Sequence, residues 1–199
     1  MILKCNRTKS GKGTVMKDTN IGNIFHEGEL EAHRRYCADK PLAPISLGGM
    51  IRKEIPLPLA DFLESQPFFF IATSNHLGQC DCSFRGREFN ISGEAYPLLK
   101  VLDTKTIIFP DFSGNNLYNS LGNIIVNPNI GMLFVDFQNR SRVRVNGTAE
   151  IIEDKNTYSK IWPSALRYIQ VRVEQAYPNC NARIPKMMMA PLTDSFFDD

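Results

Sequence analysis

The stretch IIFPDFSGNNLYNSLGNIIVNPNIGMLFVDF (107–137) decides the fold. An apolar segment leads into a polar turn, a helical segment follows, and Pro128 ends it before a second apolar segment. The turn carries Asp111, Ser113, Gly114, Asn115 and Asn116. Backbone N–H groups at a helix start lack intrahelical partners and favour an anion. The stretch therefore predicts strand, turn, helix and strand, with an anion site at the turn.

An earlier segment supplies a positive charge for that anion. Residues 79–85 alternate in polarity and follow the apolar run 68–74, which predicts a hairpin carrying Arg85. A guanidinium fork can bind two phosphate oxygens at once, so we predict that a cofactor phosphate lies beside Arg85. The alternative is an edge-strand arginine on the surface, with Asn and Ser serving as ordinary turn and capping residues.

The overall composition is that of one globular domain. The chain has 199 residues, of which 43% are hydrophobic and 22% charged. A net charge of +2 does not indicate a nucleic-acid partner. No apolar run reaches the roughly 20 residues of a membrane span, and the N-terminus lacks a signal-peptide core. We therefore expect a cytoplasmic protein.

The cysteines do not predict a disulfide framework or a metal site. Five are present, an odd number at irregular spacing, and none pairs with histidine at zinc-site spacing. We predict no metal.

The remaining patterns define the element order. Helices are predicted near 27–39, 46–53, 59–65 and 154–162, and strands near 68–74, 79–85, 98–102, 105–109, 129–137, 140–152 and 168–175. Residues 1–22 have no periodicity and are predicted to be a flexible arm, 23–186 a folded domain, and 187–199 a C-terminal tail. Strands joined mostly by hairpins predict an α+β fold, an antiparallel barrel with helices outside it.

Six segments together resemble the pyridoxamine-phosphate oxidase-related group of FMN-binding split barrels. They are FHEGELEAHRR (25–35), DCSFRG (81–86), FPDFSGNNLYNSLGNI (109–124), NPNIGMLFVDF (127–137), RVRVNGTAEI (142–151) and VRVEQAYPNC (171–180). The resemblance covers most of the chain.

The resemblance implies a six-stranded antiparallel split β-barrel over 23–186 with flanking helices. It also implies a homodimer that holds FMN at the subunit interface. By position, the implied cofactor-binding residues are Ser83, Phe84, Arg85, Gly86, Pro110, Asp111, Asn115, Asn116, Ser120 and Arg142. Among these, Arg142 matches a residue that approaches the flavin ring.

Two departures from the family argue against vitamin B6 chemistry. The oxidases themselves place Arg or Lys in the helix-start segment, where this chain has Asn-Asn-Leu-Tyr-Asn-Ser (115–120). They also end in a basic, histidine-containing segment, and this chain ends IPKMMMAPLTDSFFDD (184–199). We therefore expect FMN binding without pyridoxamine-phosphate oxidase activity.

The functional expectation is an FMN-dependent oxidoreductase acting on an unidentified small molecule. The flavin carries the redox chemistry, so no side chain is assigned as a general acid or base. Two alternatives remain open: a non-catalytic flavin carrier or sensor, and a split barrel that binds haem or a deazaflavin. The second rests on Leu117, where the family often has a longer polar or basic side chain.

Overall fold

The computed structural model describes residues 25–36 and 50–190, and the chain divides into two units, Met1–Ile51 and Arg52–Asp199. In the first unit, helix α1 (Glu27–Tyr36) has acidic residues in its first turn and basic residues in its last, which suits the helix dipole. The predicted helix is confirmed over these residues, and 37–39 lie outside the described part. The predicted arm 1–22 and residues 191–199 of the predicted tail also lie outside it, so those boundaries stay predictions.

The second unit contains one antiparallel sheet whose strands differ in length. Its strands are β1 (Phe68–Ser74), β2 (Cys80–Gly86), β3 (Lys100–Asp103), β4 (Thr106–Asp111), β5 (Asn129–Asp136), β6 (Ser141–Ile152) and β7 (Arg167–Asn179). They pair in the order β2–β1–β5–β6–β7–β4–β3. The prediction of an antiparallel α+β fold is confirmed, but the strand number is seven over the described residues, not six. The seven strands correspond to the seven segments that the sequence pattern indicated, whereas the count of six came from the family resemblance.

The sheet curls so that one face encloses the core. The ring of Phe69 in β1 lies 5.2 Å from that of Phe109 in β4, although three strands separate β1 from β4 in the sheet order. Phe69 also stacks on Phe134 of β5 at 5.0 Å. All three rings are buried. Contact between such distant strands is what the predicted barrel requires.

Gly147 permits the closest approach between β6 and β7. The β6–β7 register shifts at Asn146 and Gly147, as in a β-bulge. A Cβ atom on Gly147 would lie 2.0 Å from the carbonyl oxygen of Arg172. Only a residue without a side chain fits there.

Two helices pack against the sheet. Helix α2 (Leu57–Ser65) buries Leu63, and helix α3 (Asn119–Val126) buries Ser120, Leu121 and Ile124. Helix α3 ends before Pro128, as predicted, but it begins at Asn119 and not within the turn after Asp111. None of the described helices is long and apolar enough to cross a membrane.

The helices predicted at 154–162 and 46–53 are wrong over the residues that the structure describes. Residues 154–162 form successive turns: the Thr157 N–H donates to the Asp154 carbonyl at 3.1 Å and the Ile161 N–H donates to the Tyr158 carbonyl at 2.9 Å, each a bond across three residues as in a turn. Trp162 is then buried, and its indole N–H donates to the Pro97 carbonyl at 2.6 Å. Of the predicted helix 46–53, residues 50–53 are not helical and 46–49 lie outside the described part.

Candidate functional site

A polar pocket of about 180 Å³ lies where β2, the end of β4, the loop after it, the start of α3 and the start of β7 meet. Six of the ten predicted cofactor-binding residues line it: Ser83, Arg85, Asp111, Asn115, Asn116 and Ser120. The pocket is also lined by Tyr118, Asn119, Leu166 and Arg167, which the sequence did not indicate. The structure therefore brings most of the predicted polar set to one cavity.

One carboxylate stands between two guanidinium groups in this pocket. Arg85 Nη1 lies 3.7 Å from Asp111 Oδ1, and Arg167 Nε lies 3.3 Å from Asp111 Oδ2. Burial raises the pKa of Asp111 by more than the two arginines lower it. Burial also lowers the pKa of Arg85, against the opposing effect of Asp111 and Asp81. Arg85 nevertheless keeps its charge at neutral pH.

Arg85 retains a hydrogen-bond donor for a ligand. Its Nε atom is buried and has no hydrogen-bond partner. Buried donors are normally paired, so an unpaired one beside a cavity fits an oxygen acceptor supplied by a bound group. The chemistry of this donor set, two arginines and a helix start, suits a phosphate.

The serines of the pocket are linked to an acid that the sequence did not single out. Ser83 Oγ donates to Asp81 Oδ2 at 2.8 Å. Ser120 Oγ lies 2.8 Å from Ser83 Oγ and 3.3 Å from Asp81 Oδ2. Asp81, Ser83 and Arg85 alternate along β2, so all three face the side of the sheet on which the core lies.

The loop between β4 and α3 is partly held by its own side chains. Asn115 Oδ1 accepts the Leu117 backbone N–H at 3.1 Å, and Asn116 Oδ1 accepts the Tyr118 hydroxyl at 3.2 Å. Asn116 and Tyr118 have φ values of 62° and 53°. Left-handed backbone is unusual for tyrosine, and such strained residues concentrate at binding sites. The two asparagines thus shape the turn while their amide N–H groups stay available.

Arg167 is the main residue that sequence reasoning missed. It opens β7 directly opposite Asp111, and its guanidinium lies over the Tyr118 ring, 5.5 Å from the centroid. Neither neighbour is close in sequence. Only the β4–β7 register, which the sequence pattern does not specify, places Arg167 in the pocket.

The four other predicted residues lie outside this pocket. Phe84 pairs with Phe70, and Arg142 pairs with Val135, on the face of the sheet opposite to Ser83 and Arg85. Gly86 shares that outer face, and Pro110 is buried within β4 opposite Tyr168. Cofactor contact by these four remains a prediction.

Arg87, the next arginine along the chain, has a structural role. Its Nη2 atom donates to the carbonyls of Glu64, Ser65 and Gln66 at 3.2, 3.0 and 2.8 Å. These carbonyls close the C-terminal end of α2, where a positive charge is favoured. Arg87 is therefore not one of the residues that line the pocket.

An apolar groove of about 480 Å³ adjoins the polar pocket. Tyr118, Leu121, Leu166 and Arg167 line both cavities. The side chains of Ile125 and Ile151 extend the groove along α3. A ligand with an anionic end and an apolar body could occupy both cavities. Among the described residues, no group of three or more His, Cys, Asp or Glu side chains could hold a metal ion.

The sequence matches a family model described as "Pyridoxamine 5'-phosphate oxidase" over residues 58–187, more than half of the chain. A putative pyridoxamine 5'-phosphate oxidase from Lactobacillus delbrueckii is similar in structure, with a TM-score of 0.48, 18% identity, and coverage of 63% of this chain and 95% of that chain. An FMN-binding protein from Syntrophomonas wolfei is also similar, with a TM-score of 0.46 and 11% identity. The match covers 77% of this chain and 98% of that chain. HutZ, a haem storage protein from Vibrio cholerae, has a TM-score of 0.39 and 10% identity, with coverage of 60% of this chain and 89% of that chain. No curated protein matches the sequence.

Proposed function

Because this chain belongs to the pyridoxamine 5'-phosphate oxidase family, we propose that it binds FMN with the flavin phosphate between Arg85 and Arg167. The observation that carries the proposal is the pair of guanidinium groups at one cavity, together with the buried, unpaired Nε of Arg85. An arginine hydrogen bond to phosphate is charge-assisted and can be bidentate. The start of α3 adds backbone N–H groups to the same cavity.

The sizes of the two cavities fit a ligand that extends beyond its phosphate. The polar pocket, about 180 Å³, is smaller than the roughly 300–1,000 Å³ typical of a complete ligand site. It therefore suits the phosphate end only. The adjoining apolar groove, about 480 Å³, offers Leu121, Ile125 and Ile151 to the apolar part of the molecule.

We assign this protein to the flavin-dependent oxidoreductases that act on a small molecule. Bound FMN supplies hydride and single-electron transfer. The described side chains bind it: Arg85 and Arg167 hold the anion, and the Tyr118 ring lies against the Arg167 guanidinium. The chain departs from the vitamin B6 oxidases at residues 115–120, which favours a substrate other than the vitamin.

We also propose a homodimer, and a separate surface supports it. Four phenyl rings, those of Phe68, Phe70, Phe84 and Phe137, form what we call the outer phenyl patch, with centroid separations of 5.3–6.3 Å. Phe84 within it is 59% exposed. Arg142, on the same face, has a buried Nε without a partner. A second copy of this chain covering the patch would bury the rings and give Arg142 an acceptor.

The visible spectrum of the purified protein tests the cofactor. Flavin bands support the proposal, and a haem or deazaflavin spectrum would support the alternative instead. A flavin spectrum without reoxidation by any acceptor would favour a carrier or sensor over an oxidoreductase.

Arg85→Ala tests the phosphate position. We expect FMN binding to weaken by roughly 1.5–3 kcal/mol, about 10- to 150-fold, because a charge-assisted hydrogen bond is lost. The matched control is Arg172→Ala, which removes an exposed arginine from β7. FMN affinity unchanged in Arg85→Ala would contradict the assignment.

A further inference from the structure

Two thiols lie on one face of the edge strand β2, the face opposite to the polar pocket. Cys80 and Cys82 are both free cysteines, and both are exposed. Side chains alternate along a strand, so these two point to the same side and Asp81 between them points to the other. Their neighbours across the β1–β2 ladder are Ser74 and Ala72, whose small side chains leave room above the thiols.

The separation of the two thiols excludes a disulfide but suits a shared ion. Residues i and i+2 of a strand lie about 6.6 Å apart, and their Cβ atoms are about as far apart because the Cα–Cβ bonds are parallel. A disulfide requires Cβ atoms about 3.5–4.5 Å apart, so it cannot form here without moving the backbone. A metal–thiolate bond is about 2.3 Å long, so a linear S–metal–S unit spans about 4.6 Å. Each sulfur reaches that span by leaning about 1 Å toward the other, which is less than a Cβ–Sγ bond length.

A single side-chain rotation brings the two sulfurs together. The Cys80 thiol donates to the Gly78 carbonyl at 3.5 Å, so its sulfur is directed toward the preceding turn and not toward Cys82. A thiol is a weak donor, and this bond therefore holds the side chain only weakly. Rotation about the Cα–Cβ bond of Cys80 to another staggered position directs the sulfur toward Cys82.

The number of available ligands decides which ion fits the pair. Within residues 25–36 and 50–190, no group of three or more His, Cys, Asp or Glu side chains could hold a metal ion, so this part of the chain gives the pair no third ligand of these types. Zinc in proteins almost always takes four ligands. Copper(I) is a soft ion that thiolates select, and two ligands in line satisfy it.

We propose that Cys80 and Cys82 together bind one Cu(I) ion as a linear dithiolate. Binding forms two Cu–S bonds, breaks two S–H bonds and releases both protons to solvent, and the copper keeps its oxidation state. The site lies on the other face of the sheet from Ser83 and Arg85, so it does not depend on the proposed cofactor. It gives the protein a second binding function, for a soft metal ion.

Competition for Cu(I) with ferrozine, whose Cu(I) complex is coloured, tests this site in the absence of oxygen. The protein is the full chain carrying Cys5→Ser, Cys37→Ser and Cys180→Ser, which keeps only the pair. We expect one Cu(I) per chain, and X-ray absorption should show two sulfur neighbours. Failure to take Cu(I) from ferrozine would overturn the proposal. Half a copper per chain, with a mass twice that of the copper-free protein, would overturn it in favour of a bridge between two chains.

Single replacements separate a two-thiolate site from one reactive thiol. Adding Cys80→Ser or Cys82→Ser to the same protein should weaken Cu(I) binding by about 10²- to 10⁴-fold, because the second thiolate binds within the same molecule at a high effective concentration. Cys180→Ser in the otherwise native chain removes an exposed thiol outside the pair, and should leave the affinity unchanged. Equal Cu(I) affinity with and without Cys82 would overturn the proposal. Zn²⁺ binding as tight as that of Cu(I) would also overturn it, since zinc needs further ligands.

Discussion

Asp111 and Arg167 stand directly opposite each other in the β4–β7 register, with Arg167 Nε 3.3 Å from Asp111 Oδ2. Arg85 approaches the other carboxylate oxygen from β2. One acid therefore occupies the space between the two cations that we assign to phosphate. A bound dianion has to compete with Asp111, so this residue limits how tightly the pocket binds any anion.

Replacing Asp111 by asparagine should tighten anion binding. The variant keeps the side-chain volume but removes a negative charge about 4 Å from the incoming anion, worth about 1 kcal/mol or more even with water-like screening. We expect sulfate to bind at least about fivefold more tightly at neutral pH, measured by titration calorimetry. Asp61→Asn, on the exposed side of α2, is the control for net charge. Weaker sulfate binding in Asp111→Asn would show that the carboxylate instead holds the arginines in place.

The same acid predicts a pH dependence. Because burial raises the pKa of Asp111, the folded protein takes up this proton more readily than the unfolded chain. The protonated Asp111 therefore stabilises the fold. This stabilisation is fully present below the pKa that Asp111 has in the unfolded chain, and it is lost as pH rises through the pKa of Asp111 in the folded protein. Protonation also removes the competitor for an anion. Wild-type sulfate affinity should therefore rise as pH falls from neutral through the folded pKa of Asp111.

The asparagine variant isolates this effect from the other charged groups of the pocket. Asparagine cannot take up the proton, and every other residue that lines the pocket is present in both proteins. A flat profile in Asp111→Asn assigns the dependence to Asp111. A profile that retains the wild-type slope would assign the dependence to a group other than Asp111.

The sequence predicted the strands, turn and helix of this site better than the contacts between elements that are distant in sequence. Alternation placed Ser83 and Arg85 on one strand, and the stretch 107–137 predicted strand, turn, helix and strand in the right order. These features depend on residues that are close in sequence, and for such residues hydrophobic periodicity indicates the secondary structure. The start of α3 was placed too early, because the left-handed Asn116 and Tyr118 lengthen the turn.

Residues that join the site through strand register could not be predicted. Arg167 comes 56 positions after Asp111 and meets it only because β4 pairs with β7 in this register. The face that each residue occupies follows from the same register, since a shift of one residue reverses it. Phe84 and Arg142 were grouped with Arg85 on the family resemblance, and both lie on the other side of the sheet; for Phe84 this follows from its place between Ser83 and Arg85 in one strand.

Arg167 should matter for FMN binding as much as Arg85 does. Arg167→Ala removes a guanidinium held against both Asp111 and the Tyr118 ring, so we expect FMN to bind about tenfold or more weakly. Arg167→Lys keeps the charge but loses the planar fork, and should recover only part of the affinity. Flavin fluorescence quenching measures both. Full affinity in Arg167→Ala would leave Arg85 as the sole phosphate-binding arginine of the described pocket.

Arg87 should affect stability and not cofactor affinity. Arg87→Ala removes the donor to three backbone carbonyls at the end of α2, and we expect the free energy of unfolding to fall by about 2–3 kcal/mol. Urea unfolding measures the loss, with Arg144→Ala as an exposed control on β6. FMN affinity measured below the unfolding transition should match that of the wild type. A large loss of FMN binding would instead connect Arg87 to the flavin.

The outer phenyl patch should hold two copies of this chain together. Phe84 is its most exposed ring, and a carboxylate placed there would lie beside Phe68 and Phe70 of the same chain, beneath a second copy and with no cation assigned to it. Burying an unpaired charge costs several kcal/mol, enough to dissociate a dimer of moderate affinity. Phe84→Glu should therefore run at the mass of one chain in light scattering, whereas Ile91→Glu, fully exposed in a loop, should keep the wild-type mass. If the wild type already runs as one chain, the patch does not join two copies, and the unpaired Nε of Arg142 needs another partner.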